Sequence, residues 1–325
     1  MTEPLVSIIL PAYNVADYVA EAVMSAHTQD WPRIELICID DGSTDGTAAV
    51  LHRCADIWTT PDRVMQIVSQ TNQGAASARN RGLEEAQGAF ICFLDGDDVM
   101  QPKLITSMVD ILRSDPSVQL AAPSLRYVDA TGAPIGITSH HRKRRFNAQT
   151  LVVDGPIQSA TGVTTTADAA RRAGPFDTAL RGCIDLDWFV RLLAETGGVA
   201  QIAPDLLADY RKRPDQITSE WRRMRENWEV VVAKMARAGH DLSPVQTRSA
   251  RARNNIFWAT VAYQSGEFSQ ARRLVWQAWR HAPGQTLRDA HARIRTLAVL
   301  ASLLPASVHL ALQRRAAGQM LRSKQ

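Results

Sequence analysis

Ile37-Cys38-Ile39-Asp40-Asp41-Gly42-Ser43-Thr44-Asp45-Gly46 is an apolar run that passes without a spacer into carboxylates and turn formers. Such a run, closed by a Gly/Asp/Ser cluster, predicts a buried strand ending in a loop. Two adjacent carboxylates at a strand end repel each other unless they have hydrogen-bond donors or a cation to accept. The base N–H and ribose hydroxyls of a nucleoside are such donors. The alternative is an Asp-rich turn that caps the next helix through Ser43, Thr44 or Asp45.

Around this segment, over about the first 120 residues, short apolar runs alternate with amphipathic stretches, the pattern of βα units in a largely parallel sheet. Strands are predicted at Leu5–Leu10, Ile34–Ile39, Val64–Val68, Ala89–Leu94 and Gln119–Ala122. Between the first two, Val15, Tyr18, Val19, Ala22, Val23 and Ala26 recur at helical spacing, and Trp31-Pro32 stops that helix. Three of the strands lead into polar or Gly-bearing turns: Pro11-Ala12-Tyr13-Asn14, Asp40 to Gly46, and Asp95-Gly96-Asp97-Asp98. Ligands of open α/β sheets gather outside such carboxyl ends.

Phe90-Ile91-Cys92-Phe93-Leu94-Asp95-Gly96-Asp97-Asp98 repeats the pattern of a buried strand ending in carboxylates, here spaced to share a divalent cation. Hard cations such as Mg²⁺ and Mn²⁺ take oxygen ligands and keep waters and substrate phosphates besides one or two carboxylates. A solvated acidic turn ahead of a helix near Pro102 is the alternative. Between the two acidic strand ends, Thr71 to Gly82 places a Gly-bearing turn before a helix of small residues, which permits close approach of a ligand or, equally, tight helix–sheet packing.

Taken in order, Ser7–Asn14, Glu35–Gly46, Asn72–Gly82 and Phe90–Pro102 resemble the opening, nucleotide, helix-start and DxD segments of family 2 glycosyltransferases. The resemblance extends to about Thr218, two thirds of the chain. It implies the GT-A nucleotide-diphospho-sugar transferase fold, an α/β fold with a mostly parallel twisted sheet flanked by helices, and inverting transfer from a nucleoside-diphosphate sugar, most simply a UDP-sugar. Carried over by position, Pro11, Ala12 and Tyr13 line the base, Asp41 accepts from it and Asp95 lies near the ribose. Asn14, Asp40, Asn72, Gly74, Arg79, Gly96 and Arg211 complete the expected nucleotide-sugar site, and Asp97 and Asp98 hold Mn²⁺ or Mg²⁺. Gly182-Cys183-Ile184-Asp185-Leu186-Asp187-Trp188 takes the place of the family's Glu-Asp acceptor motif, with Ile184 where Glu is usual. The resemblance makes Asp185 the catalytic base and Asp187 a capping or supporting residue. Tyr210-Arg211-Lys212-Arg213 resembles the closing Tyr-Arg-x-His segment with Arg213 in place of His. Arginine can clamp a diphosphate but is unsuitable as a metal ligand.

Residues 124–210 are less regular and are expected to face the acceptor, a glycan or lipid-linked saccharide. An extended segment is predicted at Gly162–Thr166, a turn at Gly174-Pro175-Phe176-Asp177 and a helix near Asp187–Ala194. After Trp221, Arg, Ala and Trp recur at helical spacing, so the expected organisation is a transferase domain over 1–218 and a helical extension over 219–325. Tyr263, Gly266, Phe268, Ala271, Ala278 and Pro283 resemble one tetratricopeptide-type helix pair, though ordinary helical packing is the better expectation for a single copy. Trp221, Trp228, Trp258, Trp276 and Trp279 are expected to pack this extension. Leu297–Leu304 followed by Arg314, Arg315, Arg322 and Lys324 fits an interfacial helix touching a membrane, with intramolecular packing the alternative. His140-His141-Arg142-Lys143-Arg144-Arg145 fits a solvated loop, or a contact to an anionic headgroup.

Over 325 residues, 45% hydrophobic and 22% charged, the composition is that of an ordinary globular protein. Cys38, Cys54, Cys92 and Cys183 form no CxxC pair. With no signal-peptide pattern and no long apolar run, a cytoplasmic protein is expected, peripheral at most on the inner face of the plasma membrane. The net charge of +4 is small and unevenly distributed, with basic residues crowding the second half and acidic clusters nearer the front, and no nucleic-acid partner is expected. No GxGxxG follows a strand and no GxxxxGK[ST] is present, which disfavours a dehydrogenase or a P-loop NTPase. Pro11-Ala12-Tyr13-Asn14 is not the basic Gly-rich loop of a sugar nucleotidyltransferase. A nucleotide-sugar-binding protein that has lost turnover is the remaining rival, motivated by Ile184 and Arg213.

Overall fold

The computed structural model describes residues 2–56, 58, 62–139, 143–213 and 221–283. The first half runs β1 (Val6–Ala12), α1 (Val19–His27), β2 (Ile34–Asp40), α2 (Thr47–Ala55), β3 (Arg63–Ser69), α3 (Ala75–Glu85), β4 (Phe90–Phe93), β5 (Val99–Met100), α4 (Leu104–Ser114) and β6 (Val118–Val128). It continues through β7 (Pro134–Thr138), β8 (Arg145–Phe146), α5 (Ala148–Asp154), β9 (Thr164–Thr166), α6 (Ala167–Ala173), α7 (Ile184–Thr196) and β10 (Val199–Arg211). Three helices follow: α8 (Trp221–Arg237), α9 (Pro244–Gln264) and α10 (Phe268–His281).

The sheet order is β3-β2-β1-β4-β9-β6-β10-β5. Its first four strands are parallel, and β1 and β2 are almost wholly buried, which is why they read as unbroken apolar runs. Beyond β4 the sheet is mixed, because β9 lies antiparallel to both β4 and β6 while β6 and β10 run parallel. The predicted strand at Gln119–Ala122 is in fact eleven residues long and passes through Pro123. That proline falls at a register shift between β6 and β10, where its missing N–H leaves no gap in a regular ladder. β10, thirteen residues long, had no predicted counterpart. Its interior Pro204-Asp205 hides the strand pattern and coincides with the same irregularity.

Two packings position the functional end of the sheet. Gly82 of α3 lies against Ile9 of β1 so closely that an added Cβ would enter the Ile9 side chain. Below α3, Phe176 stacks on Trp188 with ring centroids 4.8 Å apart, and Phe93 of β4 meets both edge-on. Asn80 fixes the turn at Phe176 twice, donating to its carbonyl at 2.9 Å and accepting from its N–H at 2.7 Å. Trp188 Nε1 donates to Gly174 O. In the first turn of α7, the buried Asp187 carboxylate accepts from Arg191 Nε at 3.0 Å and pairs with Lys234 Nζ at 2.6 Å.

By internal contacts the chain divides into one unit of Met1–Gln216 with Val230–His240, and a second of Ile217–Glu229 with Asp241–Gln325. Thus α8 is shared between them. In the second unit α9 and α10 form one helical hairpin around Ile256, Trp258, Ala259, Leu274 and Ala278. Trp221, Trp228 and Trp258 are buried, whereas Trp276 and Trp279, expected inside, are exposed on α10. The basic apolar segment from Leu297 onward, and His140 to Arg142, lie outside the described residues.

Two substitutions test these packings. Gly82→Ala forces α3 off β1 and should destabilise by about 1–3 kcal/mol, read as a lower urea midpoint at unchanged slope. An unchanged midpoint would contradict the close α3–β1 contact. Asp187→Asn leaves Arg191 and Lys234 facing a neutral amide and should destabilise by about 1–3 kcal/mol, discounted because both cations are partly exposed. Equal stability of the variant would show that the pairs contribute nothing.

Candidate functional site

The loops after β1, β2 and β4 meet at the carboxyl end of these parallel strands, because β1 lies between β2 and β4. Asn14 joins the first two loops: its N–H donates to Ser43 Oγ and its Oδ1 accepts from Thr44 N at 2.8 Å. It adopts a left-handed conformation with φ of 51° to do so, one that Asn tolerates better than most residues. Asp40 accepts from Ser43 N, closing the loop on itself. Asp41 is buried and accepts from Gln70 Nε2, Gln73 N and Gly74 N at 2.7–2.9 Å. Its carboxylate therefore holds the β3–α3 loop that carries Asn72. Gly74 has φ of 90°, and Arg181 lies 3.4 Å from where its Cβ would be. Tyr13 stands 47% exposed at the end of β1, beside Pro11 and the buried Ala12. Gly96 lies under Pro11 O, so the β1 and β4 ends are in contact.

Arg79 is buried on α3 and links the two halves of the site. Its Nη2 donates to Asp95 Oδ1 at 2.6 Å, and its Nη1 lies 2.8 Å from Asp185 Oδ1. Its guanidinium also rests over Phe176 at 5.7 Å. The second approach is an ion pair with the hydrogen off line. Arg79 Nη1, Arg79 Nε and Asp185 Oδ1 consequently find no hydrogen-bond partner among the described residues, although all three atoms are buried. Burial pushes the Asp185 carboxyl up; the Arg79 charge opposes this and the Asp95 charge adds to it.

Asp95 also accepts from Ser159 Oγ, and its N–H donates to Thr161 Oγ1. Asp98, 1% exposed, accepts from Thr161 Oγ1 at 2.6 Å and from Arg211 N at 2.8 Å. Burial, with the charges of Asp97 and Asp95 behind it, raises the Asp98 carboxyl well above the usual range. Asp97 carries Arg213 on its Oδ2 at 2.9 Å. Arg211 is buried, and its guanidinium donates to Asp97 O, Ala130 O and Glu21 Oε2. In this structure it braces the site from behind; it does not open toward a diphosphate. Burial lowers the Lys212 ammonium, which lies over Tyr210 and Tyr127.

Among the described residues no three His, Cys, Asp or Glu side chains converge as a complete metal cage. The Asp97–Asp98 pair still fits a divalent cation that takes its remaining ligands from diphosphate and water. Its mutual repulsion and the raised Asp98 carboxyl are what a cation relieves. Asp98 offers the fixed oxygens, and Asp97 the more accessible ones. Absent from the sequence expectation are Ser159, Thr161 and Glu21, polar groups without a motif, recognisable only once their partners are known, while Asn80 lies in the Asn72–Gly82 segment with no role assigned to it.

Residues 7–166 match the family described as glycosyl transferase family 2. An uncharacterized glycosyltransferase of Haemophilus influenzae is 47% identical over 98 residues, 30% of this chain and 38% of that protein. The putative teichuronic acid biosynthesis glycosyltransferase TuaG of Bacillus subtilis is 29% identical over 229 residues, 70% of this chain and 86% of that protein. Among solved structures, a mannosyltransferase of Pyrobaculum calidifontis in complex with GDP-Man and Mn²⁺ aligns with a TM-score of 0.60 at 21% identity, over 99% of this chain and 88% of that one. Staphylococcus aureus TarS 1-349 in complex with UDP-GlcNAc aligns at 0.55 and 16% identity, over 93% and 82%. No described helix is long and apolar enough to cross a membrane. The matched family segment, the mixed α/β sheet and the shared GT-A architecture agree: the chain is a glycosyltransferase of family 2 with the GT-A fold.

Proposed function

We propose that this enzyme moves a sugar from a nucleoside-diphosphate donor, most simply a UDP-sugar, to a saccharide hydroxyl with inversion at the anomeric carbon. The observation that carries the reading is Arg79. It is one buried guanidinium that pairs with Asp95, placed on the donor side in this reading, and with Asp185, placed on the acceptor side.

In this reading Pro11, Ala12 and Tyr13 line the base, Asp41 and Asp40 shape its loop, and Asp95 meets the ribose. Asp185 accepts the acceptor's hydroxyl proton as that oxygen bonds the anomeric carbon, while the bond to the diphosphate breaks and the diphosphate leaves. Mn²⁺ or Mg²⁺ held by Asp97 and Asp98 supplies charge neutralisation to the leaving diphosphate. The complex of the Pyrobaculum enzyme with Mn²⁺ supports the metal. The name of TuaG supports an acceptor in surface polysaccharide assembly, a glycan or a lipid-linked saccharide. Residues 1–218 form the transferase domain and 219–325 the extension. The enzyme works in the cytoplasm, with the basic, apolar end of the chain meeting the inner face of the plasma membrane.

Asp185→Asn should lower transfer by about 10³-fold or more while UDP affinity changes little. Retention of near-wild-type turnover would remove Asp185 from the role of base. Because the base works deprotonated and its carboxyl is raised, the acid limb of kcat/KM should lie above the ordinary aspartate value of 3.8. The rate should fall about tenfold per pH unit below that limb. A limb at or below 3.8 would contradict the environment described for Asp185. For the extension, the full chain should sediment with anionic but not neutral liposomes, and equal behaviour with both would exclude the membrane role.

A further inference from the structure

Arg213 lies two residues past the end of β10, and its Nε donates to Asp97 Oδ2 at 2.9 Å. The side chains are only 14% and 13% exposed, so this is not the loose surface pair whose worth solvent removes. The Arg213 guanidinium lies over the Tyr18 ring at 5.2 Å, and the Arg211 guanidinium over the same ring at 5.1 Å. Two cations thus share one aromatic platform beside Asp95, Asp97 and Asp98. Their roles differ. Arg211 is tied through Nε, Nη1 and Nη2 to three separate groups of the fold and is 2% exposed. Arg213 neutralises Asp97, whose side chain is 13% exposed where Asp98 is buried.

A divalent cation binds carboxylate oxygen directly, and a guanidinium at hydrogen-bond distance on that carboxylate repels it. Guanidinium is also a strong partner for phosphate, to which it donates in a bidentate fork. These two preferences conflict until a diphosphate arrives, and then they agree. With diphosphate present, the guanidinium has a second anion to pair with, and Asp97 is released.

We propose that Arg213 is the resident counter-ion of Asp97 and makes cation binding conditional on the nucleoside diphosphate. Without nucleotide, Arg213 holds Asp97 and the cation is kept off. With nucleotide, the guanidinium pairs with the diphosphate and Asp97 becomes a cation ligand. Arg213 is therefore a positioning residue that couples the two ligands, and the inference rests on the metal-dependent reading above.

The test is Mn²⁺ binding to the full chain, followed by electron paramagnetic resonance of the free ion, with no sugar transfer involved. Wild type, Arg213→Gln and Arg213→Lys are compared with and without UDP. Removing the charge should tighten Mn²⁺ binding without nucleotide by about tenfold, while in wild type UDP should raise Mn²⁺ affinity about tenfold more than it does in Arg213→Gln. Arg213→Lys keeps the charge and should stay within about threefold of wild type without nucleotide. By reciprocity, Mn²⁺ should raise UDP affinity about tenfold more in wild type than in Arg213→Gln, and in EDTA the loss of the guanidinium–phosphate contact should weaken UDP binding in Arg213→Gln and not in Arg213→Lys. Equal or weaker Mn²⁺ binding by Arg213→Gln in the absence of UDP overturns the inference and leaves the metal-dependent reading standing. If the Gln variant does not fold, a Lys variant that binds Mn²⁺ tenfold tighter or looser than wild type overturns it in the same way. No Mn²⁺ binding to wild type even with UDP overturns the metal-dependent reading and this inference with it.

Discussion

Everything near the site depends on one buried guanidinium. Arg79 reaches from α3 to Asp95 after β4 and to Asp185 at the start of α7, joining segments that the chain separates by more than a hundred residues. Burying such a charge is costly unless it is paired, and removing one partner of a buried pair leaves the other uncompensated. The packing around it follows from that constraint. Gly82 lets α3 close onto β1, the Phe93–Phe176–Trp188 cluster excludes water beneath the guanidinium, and Asn80 locks the turn at Phe176.

The acidic loops turn out to be structures first and ligand donors second. Asp40 closes its own loop onto Ser43, Asp41 anchors the chain at Gln73 and Gly74, and Asp98 is clamped by Thr161 and by the Arg211 N–H. A carboxylate oxygen has more than one lone pair, so these bonds orient the group without exhausting it. The raised carboxyl of Asp98 shows that the internal donors do not balance burial and the nearby charges of Asp97 and Asp95. The imbalance is local, and it lies at the carboxyl ends of parallel strands, where open α/β sheets keep their ligands.

This also explains what the amino-acid order could and could not disclose. The strands at β1, β2 and β4 were legible because burial on both faces demands continuous apolar runs, and the acidic turns were legible because they interrupt those runs abruptly. β10 was not, since its exposed middle at Pro204-Asp205 and its register shifts erase any period. Asp95, Asp97 and Asp98 stand out at an abrupt strand end and Asp185 by the family resemblance, whereas Ser159 and Thr161, which bond Asp95 and Asp98, do not, because a short hydroxyl residue in an irregular stretch carries no pattern of its own. Arg211 shows the opposite failure. A basic residue after a strand suggests an anion ligand, yet tertiary packing surrounds it with Asp97 O, Ala130 O and Glu21.

Ile184 in place of the usual acidic residue left open how Asp185 would be oriented, and the geometry supplies an answer in other groups. Cys183 takes a left-handed conformation with φ of 55°, unusual for a residue with a side chain, and its carbonyl accepts from Asp187 N to begin α7 abruptly. Asp185 and Asp187 then diverge around the first turn. Asp187 points into the protein, where Arg191 and Lys234 hold it, and Asp185 points to Arg79 with its side chain 28% exposed. The strained residue at the helix start, the buried Asp187 pairs and the Arg79 charge together fix a carboxylate that a neighbouring Glu would otherwise have to steady. Ile184 is therefore compatible with an oriented Asp185, because the orienting forces come from behind and below the helix and none requires a carboxylate at position 184.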